Sequence, residues 1–305
     1  MAIVKPAPAP TDVLRAALWM FGSVLSFSSM AVAARALSAD FDTFEMMLYR
    51  SIIGIGIVLV AAWIAGTLRE ITTEAFGLQV VRNVSHFTGQ NLWFFAVTVL
   101  PLAQVVALEF TSPLWVIILA PLFLGEKVTA LRVGAAALGF VGILIVARPD
   151  FGNVDVGVMA AAGAAIGFAG SAVFTKVLTQ RVTITAILFW LVTLQAIFAL
   201  VISGADGDIT WPRAENWPWI GVIGTAGLVA HFCLTRALGH APALVVLPLD
   251  FVRLPLIALI GVLLYAEALE WPVALGAAVI LGANFINIWA ESRRTKMGKK
   301  IVTSP

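Results

Sequence analysis

Four residues with polar or aromatic side chains recur at helical spacing in one apolar segment of the chain. Arg82, His86 and Gln90 follow one another at intervals of four, and Trp93 comes three residues later. Residues three or four apart share one face of a helix, so these side chains form a polar stripe with an aromatic end, and Asn91 lies beside it. Such a stripe predicts either the wall of a watery cavity or a hydrogen-bonded seam between helices.

Two carboxylates also lie inside apolar segments, Glu109 in "ALEFTSPLW" and Asp250 in "PLDFVRLP". A charged side chain at the centre of a bilayer costs at least about 2.5 kcal/mol, so each needs a partner. Residue counts from the helix ends place Glu109 level with Arg50, and Asp250 level with Arg82, while Arg253 lies one turn beyond Asp250. We expect Glu109–Arg50 and Asp250–Arg82 pairs, which either exchange as gates and proton sites or fix the helix register permanently.

Three further residues complete the predicted cavity. Ser112 lies one turn after Glu109, and Trp115 is placed to stack on a flat or cationic ligand. His231, like His86, carries an imidazole that titrates near neutral pH, although a lone imidazole in an apolar helix also serves as a hydrogen-bonded core residue.

Several kinds of site are not expected from this sequence. No cluster of His, Cys and Asp has the spacing of metal ligands, so neither a metal nor a cofactor is predicted. Ser85 and His86 are the one candidate pair for nucleophilic catalysis, but neighbouring helix residues project about 100° apart. The net charge of +2 gives no indication of nucleic-acid binding.

The elements that must position these residues are membrane helices. Of the 305 residues, 61% are hydrophobic and 12% are charged, and the mean hydropathy is +0.99. Runs of about 20 apolar residues are long enough to cross roughly 30 Å of hydrocarbon as helices. The predicted fold is an all-α polytopic membrane protein with ten spans, at about 12–36, 43–65, 75–98, 101–124, 130–147, 156–177, 184–203, 217–239, 242–264 and 271–290.

The two halves of the chain match each other at an offset of about 141 positions. In this register Pro101 meets Pro242, Glu109 meets Asp250 and Glu126 meets Glu267. Each half holds five predicted spans, and an odd number makes the second copy cross the membrane in the opposite direction. Inverted repeats of this kind are typical of secondary transporters, whose substrate binds near the midplane between the repeats.

The predicted organisation is therefore a first repeat at 1–147, an outer linker at 148–156, a second repeat at 157–291 and a basic tail at 292–305. Lys and Arg residues concentrate in the loops on one side, and acidic residues on the other. This asymmetry predicts a multi-pass protein of the bacterial inner membrane with both termini in the cytoplasm.

The halves resemble the repeat of the EamA family, in the drug/metabolite transporter superfamily. The resemblance rests on "SPLWVIILAPLFLGEKVTALRVGAAALGFVGILIV", an apolar helix, a Gly-Glu-Lys turn and a Gly/Ala-rich helix. The segments "FEMMLYR" and "VRNVSHFTGQNLWFFAV" are also similar to a branch that includes bacterial carriers of S-adenosylmethionine and riboflavin. The resemblance implies a carrier with a small-molecule substrate, and its last helices are compatible with a homodimer or with stabilising the frame.

The first functional hypothesis is a secondary active transporter for a small polar metabolite, zwitterionic or nitrogen-containing, that works by alternating access. Its partners would be the substrate, the bilayer and a proton or counter-substrate. The alternative is a proton-coupled exporter of amphiphilic cations, against which the buried arginines argue because they repel a cation. A third class, an intramembrane enzyme, lacks a working catalytic pair.

Overall fold

The computed structural model describes residues 12–124, 129–147, 156–205, 207 and 209–268, and single positions between 271 and 286. All regular secondary structure in these ranges is helical. The helices are α1 (Val13–Leu37), α2 (Thr43–Ile64), α3 (Phe76–Val99), α4 (Leu102–Glu109), α5 (Ser112–Leu124), α6 (Ala130–Ala147), α7 (Val156–Leu178), α8 (Ile184–Ser203), α9 (Trp217–His240), α10 (Ala243–Leu249) and α11 (Arg253–Tyr265), with short 3₁₀ turns at Leu68–Glu70 and Asp250–Val252.

Nine of the ten predicted spans correspond to these helices, with α4 and α5 together forming the fourth span and α10 and α11 the ninth. Within the described ranges, 6 stretches have the length and hydropathy of a membrane span. Three of the nine predicted spans do not meet this description. They are the more polar α3, the interrupted pair α4 and α5, and α6, whose apolar core is shorter. The tenth span is helical at its described positions. The predicted turn at Gly125–Lys127, the linker (except Val156) and the basic tail lie outside the described residues.

The fourth and ninth spans are both interrupted immediately beside their carboxylates. The α4 helix ends at Glu109, and Pro113 cannot donate a hydrogen bond to the Glu109 carbonyl because proline has no N–H. The Ser112 hydroxyl donates to that carbonyl instead, at 2.6 Å. The fourth span is thus interrupted just before Pro113, whereas α5 runs through Pro121 without interruption.

The helices pack in an arrangement that interleaves the two repeats. The most extensive contacts join α1 with α9, α3 with α7, and α2 with α8. Exchanging the repeats converts the first pair into the second and leaves the third unchanged, as expected for two inverted five-helix repeats. The fold class predicted from the sequence is confirmed in this respect.

Small residues allow the close approach of α3 and α7, as their spacing predicts. A Cβ added to Gly167 would lie 2.7 Å from the Gly89 Cα. The Ser85 hydroxyl donates to the Gly167 carbonyl at 2.9 Å, so it joins these helices. Between α1 and α9, a Cβ on Gly22 would meet the Cys233 Sγ at 3.0 Å.

Two cations bind the carbonyl ends of α3 and α9 at symmetry-related positions. Arg35, near the end of α1, donates to the Val97 carbonyl at 3.0 Å and to the Leu100 carbonyl. Lys176, near the end of α7, donates to the carbonyls of Leu238 and of Ala241, the latter at 2.9 Å. The last carbonyls of a helix have no intrahelical partner, so each cation stabilises a helix end.

Candidate functional site

Glu109 and Asp250, the two carboxylates of the interrupted spans, meet at one arginine. The Arg253 Nη2 contacts a carboxylate oxygen of Glu109 and lies 2.7 Å from the Asp250 Oδ2. The Arg253 side chain is only 2% exposed. A single guanidinium thus joins the first repeat to the second.

This arrangement differs from the expected Glu109–Arg50 and Asp250–Arg82 pairs. Measured along its helix, Glu109 lies about 12 Å from one face of a hydrocarbon core roughly 30 Å thick. Asp250 lies about 12 Å from the opposite face. Counting residues assigned the carboxylates to separate halves of the membrane, yet those depths place both near the midplane. One arginine therefore reaches both.

Arg50 and Arg82 have other neighbours in this conformation. The Arg50 guanidinium lies against α9 at Gly227, where an added Cβ would be 3.1 Å from Nη2, and its Nη1 is 3.4 Å from the Met47 Sδ. The Arg82 Nε donates to the Thr175 hydroxyl of α7 at 3.0 Å. Neither arginine forms an ion pair with a carboxylate in the described part of the chain.

Aromatic rings surround the Arg253 guanidinium. Its Cζ lies 5.3 Å from the centre of the Phe27 ring and 5.2 Å from that of Phe110. Phe110 packs against Phe251, its equivalent in the other repeat, with ring centres 4.9 Å apart. The Trp93 indole N–H donates to the Glu109 Oε2 at 2.8 Å, which orients that carboxylate.

A cavity of about 80 Å³ lies beside this centre, between the repeats. The predicted stripe on α3 forms part of its wall through Arg82, His86, Gln90 and Trp93. Its polar and charged lining residues are Arg82, His86, Gln90, Glu109, Ser112, Ser171, Thr175, His231, Thr235, Asp250 and Arg253, and its other lining residues include Met20, Phe27, Met30, Trp93, Phe110, Phe168 and Phe251.

The two histidines lie on the cavity wall and pack edge to face against each other. Their ring centres are 4.6 Å apart, and the rings are nearly perpendicular. Phe27 packs edge-on to His231 at 5.3 Å, and Phe168 lies 5.8 Å from His86. Because Phe27 and Phe168 align in the repeat register, the two imidazoles occupy related aromatic environments on opposite sides.

Several hydrogen-bonding atoms on this wall have no partner among the described residues. They are His86 Nε2, both ring nitrogens of His231, Gln90 Nε2, Asp250 Oδ1 and Arg253 Nε. Buried polar groups are costly without a hydrogen bond. A polar ligand or bound water in the cavity would satisfy them.

Asn91 and Trp115 do not line this cavity, contrary to expectation. The Asn91 amide donates to the Phe87 carbonyl of its own helix at 2.9 Å, since Asn91 is rotated about 100° from Gln90. Trp115 is 38% exposed. The interruption after Glu109 changes the helical phase, so a face counted through the break no longer applies.

The sequence analysis missed the contribution of α7. Phe168, Ser171 and Thr175 line the cavity, at intervals of three and four along one face. The Gly/Ala-rich composition of α7 by itself indicates close helix packing rather than a cavity wall. The alignment of Phe168 with Phe27 was the signal that could have identified this face.

The described residues contain no group of three His, Cys, Asp or Glu side chains that could hold a metal ion. The charged groups on the cavity wall balance, with Arg82 and Arg253 against Glu109 and Asp250. Arg50, behind the wall, adds a third buried positive charge. The site therefore combines aromatic surface, imidazole and amide side chains, and a charge balance that does not favour a cation.

Comparison with known proteins identifies the family. The EamA-like transporter family model matches residues 14–148 and 155–289. A solved crystal structure superposes with a TM-score of 0.74, covering 91% of this chain and 98% of that chain at 18% identity. That likeness shows the fold.

Curated relatives of this chain are metabolite transporters. A riboflavin transporter of Brucella anthropi is 37% identical over 223 residues, 71% of this chain and 78% of the relative. A riboflavin transporter of Vibrio cholerae is 28% identical, covering 94% and 97% of the two chains. An S-adenosylmethionine uptake transporter of Rickettsia felis is 23% identical, covering 90% and 92%. With its two matching repeats, this multi-pass membrane protein belongs to the EamA-like transporter family.

Proposed function

We propose that this protein is a secondary carrier of a small, polar, nitrogen-containing metabolite of the riboflavin type, and that the substrate binds in the cavity between the repeats. The single observation that carries the proposal is the enclosed wall of unpartnered hydrogen-bonding atoms and aromatic rings between two inverted repeats. Binding between inverted repeats near the midplane suits alternating access.

The chemistry of the wall favours a flat, uncharged ligand. A flavin ring presents carbonyl and N–H groups along one edge and wide aromatic faces. When the carrier opens and the cavity widens, the unpartnered atoms of His86, Gln90 and His231 can meet the edge, and Phe27 and Phe168 can pack on the faces. The similarity to riboflavin transporters supports the same ligand class.

S-adenosylmethionine is the second candidate, favoured by the relatives that transport it. Its sulfonium group carries a permanent positive charge. Arg50, Arg82 and Arg253 outnumber the two carboxylates at the site, which disfavours a cation. The same repulsion argues against the export of amphiphilic cations.

In the proposed gate, Arg253 is the arginine that both carboxylates share in the described conformation. Arg253 holds Glu109 and Asp250 together while the cavity is enclosed. Opening toward one side would separate α4 from α11, and one carboxylate would exchange Arg253 for Arg50 or Arg82. Either carboxylate could carry the coupling proton, and both termini are proposed to lie in the cytoplasm.

Counterflow in proteoliposomes tests the substrate. Vesicles loaded with unlabelled riboflavin should accumulate external labelled riboflavin, whereas vesicles loaded with unlabelled S-adenosylmethionine should not accumulate external labelled S-adenosylmethionine. Accumulation in the second case alone would reverse the assignment. Exchange of neither solute would overturn the proposed ligand class. Repeating the assay with an imposed pH gradient tests proton coupling.

Two neighbouring amides provide a matched pair of variants for this assay. Gln90→Ala removes an unpartnered donor from the cavity wall and should weaken the apparent affinity for riboflavin about tenfold. Asn91→Ala alters an amide that bonds within its own helix and should leave transport within about twofold of wild type. Equal losses in the two variants would contradict the assigned cavity.

A further inference from the structure

A second crevice opens between α2, α8 and α9, away from the transport cavity. It measures about 510 Å³. Its lining residues are Val58, Ala61, Ala62, Ala65, Thr67, Ile184, Thr185, Leu188, Leu228, Val229, Phe232 and Arg236. Arg236 is the one charged residue on this wall, whose other members are apolar or carry a hydroxyl.

Arg236 has no carboxylate partner among the described residues. Its Cζ lies 5.3 Å from the centre of the Trp19 ring, and Trp19 in turn contacts Phe232 edge-on at 5.5 Å. The Arg236 Nε is buried and donates to no protein partner in the described ranges. Stacking on an indole orients the guanidinium but leaves its charge unneutralised.

The crevice runs from polar to apolar with increasing depth in the membrane. Thr67 follows the end of α2, and Thr185 lies in the first turn of α8, where its hydroxyl donates to that of Thr67 at 3.1 Å. Arg236 lies four residues before the end of α9, at a depth of about 6 Å. Val58 and Val229 lie deeper. Phospholipids have the same order, with the phosphate at the surface and the acyl chains within.

We propose that this crevice binds an anionic phospholipid from the leaflet at which α2 ends. Arg236 binds the phosphate, and an acyl chain lies along Val229 and Phe232. Charge complementarity supports this occupant, since a basic side chain in an otherwise apolar crevice between membrane helices fits an anionic headgroup. The site lies on α9, opposite the face that presents His231 to the transport cavity.

Native mass spectrometry of the full-length protein tests the site, with dioleoyl phosphatidylglycerol as the probe and dioleoyl phosphatidylcholine for comparison. Wild type should retain phosphatidylglycerol preferentially. Arg236→Gln should bind it about fivefold more weakly, while Arg236→Lys, which keeps the charge, should lose less. Arg181→Gln is the matched control, because Arg181 is exposed in the loop on the same side.

Two further comparisons distinguish the binding of a lipid from the binding of a free anion. Val229→Trp fills the apolar part of the crevice without changing Arg236 and should also weaken phosphatidylglycerol binding. Inorganic phosphate should not displace the bound lipid. Unchanged binding in Arg236→Gln, an equal loss in Arg181→Gln, or equal retention of phosphatidylcholine would overturn the proposal. Displacement by inorganic phosphate, or full binding by Val229→Trp, would exclude the acyl-chain contact.

Discussion

The two interrupted spans share a backbone design but differ in one decisive side chain. Both break beside a carboxylate, Glu109 in the first repeat and Asp250 in the second. Where the second repeat has Arg253, the aligned position of the first has Ser112. Ser112 satisfies a backbone carbonyl, whereas Arg253 forms ion pairs with both carboxylates. The repeat symmetry thus sets the geometry of the two breaks, and its violation at this position supplies the charge that links the repeats.

Removing Arg253 should have the largest effect. Arg253→Gln leaves two carboxylates without a compensating charge in a buried site, which should cost about 3–5 kcal/mol of stability and abolish transport. Thermal unfolding in detergent and counterflow in vesicles measure the two effects. Ser112→Ala, the matched change in the other repeat, should cost only about 1 kcal/mol.

A double variant that exchanges the side chains of Ser112 and Arg253 tests whether the position of the arginine matters. If charge is what matters, Ser112→Arg combined with Arg253→Ser should be more stable than Arg253→Ser alone. Failure of the double variant to regain any stability would show that the arginine functions only from the second repeat.

The cations at the helix ends provide the next test. Arg35→Gln removes a charge bound to two carbonyls of the α3 end and to Glu267, and should cost about 2 kcal/mol. Amide hydrogen exchange should increase near residues 97–102 and remain unchanged near 238–243. Lys176→Gln should show the reverse pattern. If either variant loosens both regions equally, the two helix ends are not independent.

The two glycine contacts should differ in sensitivity. Gly167→Ala places a methyl group against the Gly89 backbone and should cost about 1–3 kcal/mol. Gly22→Ala meets the Cys233 sulfur, which can shift, and should cost less than about 1 kcal/mol. Thermal unfolding measures both, and Gly221→Ala, which has open space around it, is the control. A larger loss for Gly22→Ala would contradict the packing inferred between α3 and α7.

A small effect is expected at Trp93, whose aligned residue in the second repeat is Leu234. Trp93→Phe keeps an aromatic ring but removes the N–H that donates to Glu109. Because Arg253 still neutralises that carboxylate, we expect a loss of about 1 kcal/mol, or roughly fivefold in transport affinity. Counterflow at several substrate concentrations measures it, with Phe95→Leu on the exposed side of the same helix as control. A null effect would show that the indole N–H does not orient Glu109.

The sequence predictions succeeded where an interaction depends on residues close together in the chain, and failed where it joins residues far apart. The stripe on α3 was predictable because it depends only on helical periodicity within one element. Ser112 lines the cavity although it lies beyond the break in the fourth span, because it follows Glu109 by only three residues. Trp115 does not line the cavity, because the break at Phe110 and Thr111 resets the helical phase. The expected ion pairs are absent from this conformation because depth along an axis does not specify which side chains meet.

The sequence by itself determined the membrane class, the helix positions, the five-plus-five repeat and the location of the carboxylates at related positions. Hydropathy and periodicity depend on residues near one another in the chain, so they can be read without contacts. Only the tertiary structure decided that Arg253 serves both carboxylates, that α7 completes the cavity and that Arg50 lies against Gly227. Those outcomes depend on which helices pack together at the midplane, where residues more than a hundred positions apart come within a few ångströms.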